Sequence, residues 1–121
     1  MPLAGSLAPH DRQMSAIAIV YALFGDRAAA EAAAAQMVEQ RLAACANIMA
    51  PCISLYRWDG EMTRAEELPV VFKTSMERRD ELTAALAAVH AYEVPAVSGW
   101  SASTTIPYAA WVDEQTRANG A

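Results

Sequence analysis

The chain has 121 residues, of which 55% are hydrophobic and 19% are charged, and its formal net charge is −5. This length suits one domain with its own core, and the composition is typical of a folded globular protein rather than a disordered one. The negative charge argues against a nucleic-acid partner, which binds through Lys and Arg, and no apolar run approaches the roughly 18 residues of a membrane-spanning helix.

The N-terminal segment differs in composition from the rest of the chain. Residues 1–15 contain several Pro, Gly and Ser residues, so we expect a disordered tail there and a single domain over 16–117. The segment lacks a basic stretch followed by an apolar one and does not predict an export signal, so a cytoplasmic protein is expected. Cys45 and Cys52 are then expected to be free thiols, because disulfides persist mainly in oxidising compartments.

The first two predicted elements are a strand and a helix. Residues 16–23, AIAIVYAL, form a continuous apolar, β-branched run of the kind seen in strands that are buried on both faces. Gly25 and Asp26 end this strand, and Asp26 is the expected N-cap of a helix over 27–44. The apolar residues of this helix recur at helical spacing and predict an amphipathic face: they are Ala33, Ala34, Met37, Val38 and Leu42.

A long β-hairpin is predicted over residues 45–74. Asp59-Gly60 is a strong signal for a type I′ turn, which requires positive φ at both residues. Proline cannot donate a ladder hydrogen bond, so bulges or edge positions are expected near Pro51 and Pro69. The long arms predict a hairpin tip that projects beyond the core. The turn sets the register of facing pairs: Trp58 with Glu61, Tyr56 with Thr63, Ser54 with Ala65 and Cys52 with Glu67.

Two further helices and a strand complete the chain. Thr74 and Glu77 fit a capping box that would start a second helix at Thr74. The segment HAYEVP ends that helix, and residues 96–102 resume as a strand. Residues 104–117 predict a C-terminal helix with Pro107 in its first turn. The apolar stripe of the second helix consists of Leu82, Ala85, Leu86 and Val89.

The order of elements predicts an α+β fold. A β-α-β-β-α-β succession followed by one helix is that of a ferredoxin-like sandwich, in which helices pack on one face of an antiparallel sheet. The long central hairpin leaves strand edges and an open sheet face that need cover. Self-association through the strand edges would provide it.

Five motifs resemble those of one protein family. They are MVEQRLAACANI (37–48), SLYRWDGE (54–61), EELPVVFKT (66–74), HAYEVPAV (90–97) and YAAWVDEQT (108–116). In this order and spacing they resemble the CutA family, the divalent-cation tolerance proteins, over residues 16–116. The resemblance implies a ferredoxin-like protomer in a tight homotrimer formed by the long strands, similar to the PII signalling proteins. It also implies a link to tolerance of copper and other divalent metals.

The chain departs from the family pattern at positions that matter for metal binding. Some members have a cysteine late in the first strand and a second histidine before the His-Pro-Tyr motif, where this chain has Ala22 and Val89. The motif itself reads HAY at 90–92. Ala96 occupies the position after Val-Pro where family members often have an acidic residue. The thiol–imidazole pair is therefore not carried over.

Two interpretations of His90 stay open. At the end of the second helix, it would serve as a C-terminal cap that bonds free carbonyls. As a ligand for copper or another divalent metal, it would be joined by Glu67 or Glu93, the carboxylates that the family pattern brings near. A soft Cu(I) ion would also require a thiolate from Cys45 or Cys52.

The resemblance also suggests a pocket between subunits. Tyr92 and Glu93 match the YE pair of the family motif, and Lys73 matches the lysine that ends its third strand. With Trp58 and His90, they would line a small polar pocket with aromatic walls. The alternative is an interfacial salt bridge with packed rings.

The sequence contains no recognisable enzyme motif. Its five glycines do not cluster into a phosphate loop, and there is no H-E-x-x-H. We therefore expect a non-enzymatic, CutA-like homotrimer that binds or senses copper or another divalent metal. The alternative is a PII-like trimeric signalling scaffold that binds a small anionic ligand or a protein partner between subunits. A purely structural assembly module is a third possibility.

Overall fold

The structure, a computed structural model, describes residues 14–118. Its elements are β1 (Met14–Phe24), α1 (Arg27–Glu39), β2 (Cys45–Ile48), β3 (Cys52–Trp58), β4 (Glu61–Thr74), α2 (Arg79–Val89), β5 (Val97–Thr105) and α3 (Ile106–Gln115). This confirms the predicted α+β order, with the second strand divided into β2 and β3. Residues 1–13 of the predicted tail lie outside the described residues, while Met14 and Ser15 belong to β1.

Strand β4 organises the sheet. The strands lie in the order β2-β4-β1-β5, and β3 pairs with the N-terminal part of β4. All pairings are antiparallel. Ile48 faces Val70 and Cys52 faces Glu67, so residues 49–51 oppose only 68 and 69. This is the bulge expected around Pro51, which cannot donate a ladder hydrogen bond.

The hairpin turn and its register confirm the prediction. Asp59 and Gly60 have φ angles of 50° and 78°, as a type I′ turn requires. Trp58 faces Glu61 and the pairing continues in register to Cys52 and Glu67. Beyond the bulge, β4 is the only described strand that pairs with β3, so this part of the hairpin extends past the rest of the described sheet.

Side chains alternate along β1 between two apolar layers. Val20 and Ala22 join the core formed with α1 and α2, whereas Ile17 and Ile19 pack towards α3 on the other face. The expectation of helices on one face therefore holds for α1 and α2 only. The C-terminal helix covers part of the face that was expected to be open. Across residues 14–118, no helix combines the length and apolarity needed to cross a membrane.

Helix α1 begins as predicted and ends earlier than predicted. The Asp26 carboxylate accepts a hydrogen bond of 2.8 Å from the backbone N–H of Ala29, which confirms the N-cap. The helix was expected to reach residue 44, but it ends at Glu39. Arg41 adopts a positive φ of 61°, and the next two backbone N–H groups turn back to the carbonyl of Met37. This left-handed turn closes the helix without a glycine.

The predicted capping box at Thr74 is wrong. Thr74 is the buried last residue of β4, and its hydroxyl donates a hydrogen bond of 2.7 Å to the Leu42 carbonyl. That contact uses the hydroxyl in a tertiary bond, so it cannot cap a helix. Helix α2 starts at Arg79 instead, after a turn in which the Arg78 N–H donates to the backbone carbonyl and hydroxyl oxygens of Ser75.

Two arginines anchor the end of α3. Pro107 lies in the first turn of this helix, as predicted. At the other end, Arg78 Nε donates to the Thr116 carbonyl over 2.8 Å, and an Arg41 guanidinium N–H donates to the Gln115 carbonyl over 3.3 Å. Cationic donors satisfy carbonyls that the helix leaves free and oppose its negative end.

Gly60→Val should destabilise the protein through the backbone alone. A Cβ at residue 60 would meet no atom of the described chain within 4 Å, so the cost comes from the φ of 78°. A left-handed conformation costs an L-residue about 1–2 kcal/mol. We expect a lower Tm by circular dichroism at fixed protein concentration. Gly60→Asn is the matched control and should lower the Tm less, because Asn tolerates this region. An unchanged Tm for Gly60→Val would contradict the turn.

Candidate functional site

A groove of about 600 Å³ lies between the β3–β4 hairpin and the loop that joins α2 to β5. It forms where β4 extends beyond the end of β1. The pairing of the two strands ends at Phe24 and Leu68, and Glu67 is the first residue of β4 beyond that pair. The loop reaches Glu67 of β4 through the Tyr92 side chain, and it is tied to β1 by a hydrogen bond from the Leu23 N–H to the Ala96 carbonyl. The groove lining includes Leu23, Tyr56, Trp58, Glu67, Tyr92 and Glu93.

The hairpin register supplies one wall of the groove. Cys52 faces Glu67, and alternate residues of a strand share a face, so Tyr56 and Trp58 lie on the same face as Glu67. Their side chains are 41% and 46% exposed, respectively. Large aromatic side chains are usually more buried than this. The two rings therefore leave aromatic surface of the groove wall free to contact a ligand or another protein.

A buried carboxylate lies at the base of the groove. Glu67 is 5% exposed, and the Tyr92 hydroxyl donates a hydrogen bond of 2.9 Å to its Oε2. Burial, followed by the hydrogen bond to Glu67 and its negative charge, raises the pKa of Tyr92 to about 12. Tyr92 is therefore a protonated donor at neutral pH, and it partly offsets the cost of burying Glu67.

His90 positions Tyr92. It is the C-cap residue of α2, the position that one of its two interpretations predicted, but its backbone N–H rather than its ring bonds a helix carbonyl, that of Leu86. Its ring stacks on Phe24 with 4.8 Å between centroids, and its Nε2 contacts the Leu23 carbonyl. A carbonyl only accepts, so Nε2 carries the proton, and Nδ1 accepts a hydrogen bond of 3.1 Å from the Tyr92 N–H.

Gly25 provides room for Tyr92, which the sequence alone did not reveal. A Cβ at residue 25 would lie 3.1 Å from the Tyr92 hydroxyl oxygen and 3.4 Å from its Cε1. The sequence indicated only that Gly25 ends a strand. The close approach of a ring that is 67 residues further along the chain leaves no local signal.

Lys73 lies away from the groove within one protomer. It faces Ile19 and Cys45 in the sheet, and its Nζ is 6.0 Å from the ring centroid of Tyr108 on α3. Burial, with a smaller contribution from Cys45, raises the pKa of Tyr108, and its buried hydroxyl has no hydrogen-bond partner among residues 14–118. Three of the five predicted pocket residues, Trp58, Tyr92 and Glu93, thus line the groove. His90 contacts Tyr92 without being among the lining residues, and Lys73 lies apart from them. A role for Lys73 in a pocket between protomers stays a prediction.

The groove alone does not fit a complete metal site. Glu67 and Glu93 offer carboxylate oxygens, but backbone groups engage both ring nitrogens of His90. In the described part of the chain, no group of three or more His, Cys, Asp and Glu side chains is placed to hold a metal ion. The predicted pair of His90 and Glu67 therefore lacks the four ligands that a structural zinc ion requires.

Comparisons with known proteins agree with this fold. Residues 18–115 match the family described as CutA1 divalent ion tolerance protein. The divalent-cation tolerance protein CutA of Thermus thermophilus is 37% identical over 81 residues, which are 66% of this chain and 79% of that protein. The structure of CutA from Synechococcus elongatus has a TM-score of 0.81 at 26% identity, covering 89% of this chain and 99% of that one. The periplasmic divalent cation tolerance protein CutA of Archaeoglobus fulgidus has a TM-score of 0.79 at 27% identity, covering 85% and 100%.

Tyr92→Phe should alter how stability depends on alkaline pH. Folding raises the pKa of Tyr92 from 10.0 to about 12, so the folded state favours the protonated phenol. The stability contributed by this preference is complete below pH 10 and is lost as the pH rises from 10 towards 12. The difference in unfolding free energy between wild type and Tyr92→Phe, measured by urea denaturation, should therefore shrink across that window.

Glu67→Gln serves as the second variant in this experiment. It removes the negative charge that adds to burial in raising the pKa of Tyr92, so the loss should occur at lower pH than in wild type. A difference between wild type and Tyr92→Phe that is constant from pH 10 to 12 would contradict the hydrogen bond.

Proposed function

Because the chain belongs to the CutA1 divalent ion tolerance family, we propose that it contributes to divalent-cation tolerance as a homotrimer that binds or senses metal ions, without catalysing a reaction. The acidic groove supports this proposal. Its lining includes Glu67 and Glu93, and no Lys or Arg is among the described residues that line it. A negative pocket concentrates cations and repels anions.

The groove charge favours this proposal over a scaffold for anionic ligands. Small anions are bound by Arg, Lys or a cluster of backbone N–H groups. The buried carboxylate of Glu67 would instead repel an anion at the base of the groove. The formal net charge of −5 acts in the same direction over longer distances.

The donor atoms of the groove suit a divalent ion that accepts oxygen ligands. Carboxylates favour such ions, whereas Cu(I) prefers thiolates and thioethers. We propose that Glu67 and Glu93 are ligands and that a neighbouring protomer supplies others. His90 acts indirectly and is not a proposed ligand. Its ring orients the Tyr92 backbone, and the Tyr92 hydroxyl bonds Glu67. The proposed metal is thus copper in its divalent state or another divalent ion.

The proposed trimer rests on uncovered apolar surface and free strand edges. Among residues 14–118, no other strand lies beside the hairpin beyond the bulge, and β5 is the opposite edge of the sheet. Ile53, Leu55 and Met62 are 50%, 67% and 66% exposed, and the register places them on one face of the hairpin. Exposed edges and apolar patches of this kind are covered by association in native proteins.

The cytoplasm remains the proposed compartment. Both Cys45 and Cys52 are free thiols, which suits a reducing environment. Cell fractionation with an antibody against the chain would test this, and recovery in an exported fraction would contradict it.

Calorimetry should detect binding of Cu(II) or Zn(II) to the purified chain and no binding of ATP. Glu67→Gln removes a proposed ligand charge and should weaken metal binding at least about tenfold, on the scale of changes at metal sites. Glu39→Gln, an exposed residue on α1, is the matched control and should leave it unchanged. His90→Ala should weaken binding less than Glu67→Gln. Metal binding that is equally strong in Glu67→Gln would contradict the proposal.

Sedimentation should give a particle of three chains of 13.0 kDa each. Met62→Asp places a charge on the exposed hairpin face and should dissociate the assembly. Val38→Asp is the matched control: Val38 is 41% exposed on α1 and is not part of the hairpin, so the variant should remain a trimer. A stable 13.0 kDa wild-type monomer at micromolar concentration would overturn the trimer.

A further inference from the structure

We propose that the groove binds a small organic cation, a protonated aliphatic amine, between the aromatic wall of Tyr56 and Trp58 and the carboxylates of Glu67 and Glu93. The inference rests on the proposed function in that it uses the same acidic groove. It goes further by naming a class of ligand whose recognition requires no complete set of metal ligands.

The aromatic side chains suit a cation. Three exposed rings, those of Tyr56, Trp58 and Tyr92, line the groove and are 41%, 46% and 36% exposed. The face of an aromatic ring attracts an ammonium group within about 6 Å, and Trp attracts it most strongly. A metal ion gains little from such a wall, because it binds through lone-pair donors. An alkylammonium uses both the ring faces and their apolar contact area.

The acceptor groups match the donors of an ammonium. Glu67 accepts one hydrogen bond at Oε2, from Tyr92, and no residue among 14–118 donates to its Oε1. Glu93 and Ser54 add a carboxylate and a hydroxyl to the lining. An –NH₃⁺ group carries three N–H donors and no acceptor, so these acceptors are sufficient for it. Charge-assisted hydrogen bonds to a buried carboxylate are among the stronger ones.

The size of the groove limits the ligand to a small molecule. Its volume of about 600 Å³ lies within the range of ligand pockets, roughly 300–1,000 Å³. Leu23 and Val94 add apolar surface for the alkyl part of the amine. Charge complementarity therefore selects the cation, and the apolar lining selects an organic one.

Titration calorimetry with n-butylammonium tests the proposal. We expect n-butylammonium to bind the wild-type chain at least about tenfold more tightly than butan-1-ol, its neutral analogue, and butyrate to show no binding. Equal binding of butan-1-ol would overturn the proposal, since the groove would then be only apolar. No binding of n-butylammonium would also overturn it.

Two variants locate the site. Trp58→Leu and Glu93→Gln should each weaken n-butylammonium binding several-fold or more. Their controls are Trp100→Leu, which removes a ring that is 48% exposed outside the groove, and Glu39→Gln on α1. Sedimentation on the same samples shows that assembly is retained. Unchanged affinity in both Trp58→Leu and Glu93→Gln would overturn the proposed site.

Two further titrations separate this inference from its alternatives. Metal binding without n-butylammonium binding would overturn the amine proposal and leave the proposed metal function intact. Binding of n-butylammonium without metal binding would overturn the proposed metal function and leave the amine proposal intact. Nα-acetyl-lysine methylamide tests whether a protein lysine is the occupant. If it bound at least tenfold more tightly than n-butylammonium, the free-amine proposal would be wrong and a peptide would be indicated.

Discussion

Strand β4 is longer than its neighbour β1, and the candidate site depends on that difference. The pairing of β1 with β4 ends at Phe24 and Leu68, so the next residue, Glu67, has β3 on one side and no strand of the described chain on the other. A carboxylate that is 5% exposed at such a step requires a hydrogen-bond partner. The loop after α2 returns to this place and supplies Tyr92. His90 holds that loop through bonds to both β1 and Tyr92.

Local sequence signals predicted the elements whose causes are local. Asp59 and Gly60 determine the turn, and the turn determines every facing pair down to Glu67. The start of α2 was predicted wrongly because a tertiary contact engages Thr74, and the end of α1 because a left-handed turn forms at a residue other than glycine. The Thr74 hydroxyl bonds a carbonyl 32 residues away rather than capping a helix, and Arg41 closes α1 in a conformation usually taken by glycine.

The candidate site was predictable as a set of residues and not as a set of contacts. The motif HAYEVPAV placed His90, Tyr92 and Glu93 near one another, and the hairpin register placed Trp58 on the face of Glu67. The bond between Tyr92 and Glu67 spans 25 residues and has no local signature. Distance along β4 also separates Lys73 from the groove, since the chain continues for six residues from Glu67 to Lys73 and the ammonium lies over a ring of α3. The acidic character of the groove emerged only once that lysine was placed elsewhere.

We propose that this acidic, aromatic-walled groove is where the chain binds cations. The chain has three tryptophans, and only Trp58 is among the lining residues of the groove. Their indole N–H groups give separate NMR signals, so a titration with Zn(II) and then with n-butylammonium reports the site directly. We predict that the Trp58 indole signal shifts with at least one of these cations while those of Trp100 and Trp111 stay in place. A Trp58 signal that is unmoved by both cations would contradict a cation site in this groove.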